Sequence, residues 1–119
     1  VQVEGVVDVS AWLHTTRDLS DSVYIYSEYA DEFFEFDTRG YRAITFAISS
    51  DVEATGWAEW VIGAPGHEMF VYVEEFDLTG SFPATTRTYD VQGHTLNIFL
   101  FALNEGEEGY VDVTAYLTT

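Results

Sequence analysis

Cysteine and lysine are both absent from this chain of 119 residues. Without cysteine there is no disulfide scaffold, no thiol nucleophile and no zinc–cysteine site. Without lysine the positive charge falls to four arginines, Arg17, Arg39, Arg42 and Arg87, against 21 Asp and Glu, for a formal net charge of −17. No basic patch can form to meet phosphates, so nucleic acid is not an expected partner. No apolar run approaches the ~18 residues of a membrane helix, so no membrane insertion is expected. The opening residues, Val1-Gln2-Val3-Glu4-Gly5, carry no basic stretch of the kind that begins a signal peptide.

A surface this acidic repels itself at low ionic strength. At ~1 M salt the Debye length falls to about 3 Å and that repulsion is screened. An acid-rich, lysine-free composition is therefore suited to concentrated salt. The hydrophobic fraction of 47% is that of a globular protein and not of a disordered one.

The residues that are present alternate with period two. Val7, Val9, Ala11 and Leu13 share one face of a first expected strand. Val23 to Tyr29, Phe33 to Asp37, Arg42 to Ser49, Trp57 to Ile62, Met69 to Phe76, Thr86 to Asp90, Thr95 to Leu103 and Tyr110 to Thr118 also read as strands, rich in Val, Ile, Phe, Tyr, Trp and Thr. Turn residues separate them: Asp37-Thr38-Arg39-Gly40, Gly63-Ala64-Pro65-Gly66, Thr79-Gly80 and Asn104-Glu105-Gly106. No long stretch carries a helical period. The expectation is an all-β fold, an antiparallel β-sandwich of jelly-roll or Ig-like type with about 8–9 strands. These fill residues 1–119 as a single domain.

The chain echoes itself. Phe36-Asp37-Thr38-Arg39-Gly40 matches Tyr89-Asp90-Val91-Gln92-Gly93 at an offset of 53, and Val7-Asp8-Val9-Ser10-Ala11-Trp12-Leu13 resembles Val111-Asp112-Val113-Thr114-Ala115-Tyr116-Leu117. In both Asp-x-x-Gly turns the Asp is expected to cap and the Gly to take a positive φ. Carried through without a gap, the first echo sets Phe99 and Phe101 level with Phe46 and Ile48. That puts Phe99 and Phe101 in the core and Ile98 and Leu100 on the opposite face. Apolar residues on such a face need cover. The cover is either the chain's own loop near Asp77 to Arg87 or another subunit. Trp12 and Tyr116 alternate outward at equivalent places, which makes Ile98, Leu100, Trp12 and Tyr116 the candidate interface.

No constellation for catalysis stands out. His14, His67 and His94 have no metal-ligand spacing, so no metal site is expected. Gly-x-Ser-x-Gly and glycine-rich phosphate loops are absent, and no D-x-D-x-D-G calcium loop occurs. With 21 acidic residues, two carboxylates in one cleft would arise by chance, so they do not point to a glycosidase. The chain is expected not to be an enzyme and to need no cofactor. Aromatics make up 17% of the residues, and Trp12, Trp57 and Tyr116 are candidates for stacking on a sugar.

The segment Phe36-Asp37-Thr38-Arg39-Gly40-Tyr41-Arg42-Ala43-Ile44-Thr45-Phe46, a turn feeding a strand, resembles the β-sandwich modules of tailed-virus virion proteins, which serve as capsid decoration, fibre and tail components. The likeness spans residues 33–62 and 86–119 and is one of strands and turns, so no functional residues carry over. It implies a non-enzymatic structural role in a virion or on a cell surface. The lysine-free composition would place it with a halophilic archaeal virus. The implied partners are copies of itself or other virion or surface proteins. The alternative is a carbohydrate-binding or adhesion module, for which a glycan is the partner.

Overall fold

A computed structural model of the chain describes residues 16–27, 33–80 and 84–119. Eight strands are described: β1 Thr16–Tyr26, β2 Phe33–Asp37, β3 Ala43–Ser50, β4 Ala54–Ile62, β5 Met69–Leu78, β6 Thr85–Asp90, β7 Thr95–Ala102 and β8 Glu108–Thr118. The strand expected at Val7 to His14 lies outside the described residues.

The strands form two antiparallel four-stranded sheets, ordered β1-β8-β3-β6 and β2-β7-β4-β5. Every connection except β4–β5 passes from one sheet to the other. This order is that of a jelly roll, and it decides between the two sandwich types that the sequence leaves open.

Alternation is what builds the core. In β3, Ile44, Phe46 and Ile48 turn inward, and in β8 Val111, Val113, Ala115 and Leu117 do the same. The second sheet meets them with Phe34, Phe36, Ala58, Trp60, Leu96, Ile98 and Leu100. Such strands, polar on one face and apolar on the other, can lie in only one register without placing the apolar set in water.

At one side the two sheets are tied together by charge. The β4–β5 register shifts at Ala58/Glu59, and this bulge turns Glu74 inward opposite Ala58. There it meets β6 of the other sheet. The Arg87 Nε donates to both Glu74 carboxylate oxygens at 3.2 Å, and the Tyr89 hydroxyl donates to Glu74 Oε2. The Arg87 guanidinium lies 5.6 Å from the Phe76 ring centroid. Burial first, and then the Glu74 carboxylate, push the Tyr89 hydroxyl pKa well above the ordinary value of 10.

The two Asp-x-x-Gly turns touch each other. Thr38, fully buried, donates its backbone N–H to His94 O (3.0 Å) and its Oγ1 hydroxyl to Gly93 O (2.8 Å). Asp37 caps its turn by accepting from the Arg39 N–H at 3.1 Å, and Gly40 takes φ +86° as expected. Gly93 does not take a positive φ. Glycine is required there for a different reason: a Cβ would run into the Val61 carbonyl.

Candidate interaction surface

The structure corrects the placement of Ile98 and Leu100. Both are 0% exposed and belong to the core. Ile98 sits between Phe34 of β2 and Ala58 of β4, all three pointing inward. The outer face of β7 is instead carried by Phe99, Phe101 and Asn97. The physical reason is connection length. Five residues, 38–42, join β2 to β3, but only four, 91–94, join β6 to β7. One residue of difference inverts the face of every side chain that follows. The echo at offset 53 is a false guide to facing.

Phe99 is the middle of an aromatic row on that outer face. Phe33, Phe99 and Trp57 are direct cross-strand neighbours on β2, β7 and β4. Phe33 and Phe99 lie 5.1 Å apart at 31°, and Phe99 and Trp57 lie 5.0 Å apart at 20°. The rings thus stack on one another, so one face of the Trp57 indole is already covered by Phe99. One step along the strands, Asn97 lies between Glu35 and Glu59. It is buried, and its Oδ1 has no hydrogen-bond partner.

On the outer face of the other sheet Tyr116 is 45% exposed, beside Thr45 and Asp18 in register. Tyr24, Tyr26 and Tyr110 form an edge-to-face cluster at the far end of the same face. There the Glu108 carboxylate accepts from the Tyr24 hydroxyl and pushes its pKa up to about 12. Trp12 and His14 lie outside the described residues. His67 is exposed in the β4–β5 loop, and His94 Nδ1 lies 2.8 Å from Thr95 Oγ1. Among the described residues no three His, Cys, Asp or Glu side chains come together as metal ligands.

The feature that the sequence reading passed over is the β4–β5 hairpin. β5 is the edge of its sheet, and among the described residues no strand pairs with its outer side. Four successive apolar side chains at its start are exposed on both faces: Met69 at 70%, Phe70 at 65%, Val71 at 43% and Tyr72 at 60%. No other described strand has such a run. Ile62, paired with Met69 across the hairpin, adds to it. The loop that holds this tip uses Gly63 and Gly66 at φ +114° and +84°. An unbroken apolar run next to a Gly-Ala-Pro-Gly turn was the available signal. It marks a strand apolar on both faces, but not which side has cover.

No protein-family model matches the chain. No curated protein matches it in sequence. Among solved structures, it resembles the Yersinia pseudotuberculosis-derived mitogen with a TM-score of 0.58 and 9% identity, over 85% of this chain and 86% of that one. It also resembles the SPBc2 prophage-derived protein YomS with a TM-score of 0.56 and 15% identity, over 88% of this chain and 96% of that one. At these identities the likeness is one of fold.

Proposed function

We propose that this chain is a non-enzymatic structural module of an extracellular assembly, a virion component suited to high salt. The observation that carries the reading is the exposed apolar run Met69–Tyr72 at the edge of the second sheet. Isolated apolar side chains on a surface are ordinary, but a contiguous strip on an edge strand is a contact site waiting for cover. The charge supports the same setting: 21 acidic residues against four basic ones keep a protein dispersed until salt screens them. The shared fold with a prophage-derived protein is consistent with a virion. A glycan-stacking role is the weaker reading, because Trp57 has one ring face occupied by Phe99.

The test is substitution on the strip. Phe70→Asp and Tyr72→Asp should abolish self-association at molar salt while the circular dichroism spectrum stays that of the parent and melting loses only its dependence on protein concentration. A charge costs little in water and much at a dry contact. Variants that associate as the parent does would overturn the proposal.

A further inference from the structure

We propose that the free edge of β5 pairs with the same edge of a second copy of this chain, antiparallel about a twofold axis at Val71. This rests on the assembly reading above and names its partner. The two four-stranded sheets would then join into one continuous sheet across the axis.

The first argument is where β5 is guarded. Natural sheets blunt their edges with charges, prolines and bulges. The second half of β5 has two of these devices, the bulge at Ala58/Glu59 and the acids Glu74, Glu75 and Asp77. The first half, Met69 to Tyr72, has none, and the bulge at Val73 marks where the guarded half begins. An edge protected along half its length and left apolar along the other half is shaped for one partner strand.

The second argument is register. A twofold axis perpendicular to a sheet keeps each face as it was, so the axis must pass through a residue opposite its own copy. Centred on Val71, Phe70 meets Tyr72 on the outer face, and Met69 meets Val73. The opposed pairs from Met69 to Val73 are all apolar, and cross-strand aromatic and β-branched pairs are those that stabilise a sheet; beyond them Glu68 falls level with Glu74, two like charges that salt must screen. Centred on Phe70, the pairing sets Tyr72 against Glu68. Centred on Tyr72, the pairing runs past the bulge, where Phe70 on the outer face would stand level with Glu74, which is turned inward, so the faces no longer match. Val71 is the only centre of the three that sets every residue from Met69 to Val73 against another residue of the same apolar strip.

The third argument is area. At roughly 150–200 Å² per large side chain, the exposed parts of Ile62, Met69, Phe70, Val71 and Tyr72 amount to on the order of 500 Å². Complete cover in both copies would bury about twice that, so the strip reaches the ~1,000 Å² of a specific interface only at its upper limit, the size of a weak contact. A second copy supplies the required strip without any further partner. It also brings its own −17, so pairing should need salt.

The chain has no cysteine, so a single introduced one reports cleanly. Under mild oxidation in molar salt, Val71→Cys should form a disulfide-linked dimer at least about tenfold faster than Leu103→Cys, whose exposed side chain lies in a loop away from β5. Phe70→Cys mixed with Tyr72→Cys should cross-link faster than either variant alone. If the parent is dimeric but Val71→Cys links no faster than Leu103→Cys, the register is overturned and the copies meet elsewhere. If the parent stays monomeric at every salt concentration, the pairing and the assembly reading both fail.

Discussion

Replacing Ile98 by alanine should unfold the protein more easily and leave its assembly surface untouched. Ile98 is 0% exposed, with Phe34 and Ala58 as its cross-strand neighbours on the inner face. The change removes three carbons, a transfer loss of about 2.4 kcal/mol at ~0.8 kcal/mol per methylene. Ala58 is too short to fill the gap and Phe34 is fixed in a packed row, so a cavity cost is added. The total falls in the range of about 2–5 kcal/mol seen for such truncations. Against a typical stability of 5–15 kcal/mol that is a large share. At roughly 4 °C per kcal/mol for a chain of this size, the melting temperature should drop by about 10–20 °C. Thr114→Ala, on the exposed face of β8, should cost less than about 0.5 kcal/mol. The assay is thermal melting by circular dichroism in molar salt, with light scattering on the same samples. A melting temperature for Ile98→Ala close to that of the parent, with a changed mass, would refute the core placement and restore Ile98 to an interface.

Two further outcomes follow from the charges. Because the folded-state pKa of Tyr89 is raised, the stability it contributes is complete below pH 10 and is lost as pH climbs from there towards the folded value. Resistance to chemical denaturant should therefore fall above pH 10, and Tyr89→Phe should flatten that slope; an unchanged slope in the variant would remove the Tyr89–Glu74 link as its cause. Melting temperature should also rise from low to molar salt with sodium and potassium alike, since the cause is screening of like charge. A rise confined to calcium would point to a specific site instead.

Much of the fold could be read from local residues. β2 was legible to the residue at Phe33 and Asp37, because a short alternating strand ends at an Asp that caps the next turn. The turns at Gly40, Gly63, Gly66, Gly80 and Gly106 were legible because a positive φ selects glycine. Facing was lost at β7, where Thr95 to Ala102 is apolar on both sides and offers no alternation to fix its parity. Only the length of the preceding connection carries that parity, and an ungapped echo hides it. The interaction strip at Met69–Tyr72 was illegible for a different reason. An apolar run looks the same in a central strand and in an edge strand, and strand order is a long-range property. Gly93 shows the same gap on a smaller scale. The positive φ expected of it is not taken, and its need for glycine comes from Val61, thirty-two positions away.

The mass of the protein in solution tests the central claim most directly. Light scattering after size exclusion, over a range of protein concentrations in molar potassium chloride, should show a species of twice 13.4 kDa that reverts to 13.4 kDa at low salt. A mass of 13.4 kDa at every salt and protein concentration would contradict it.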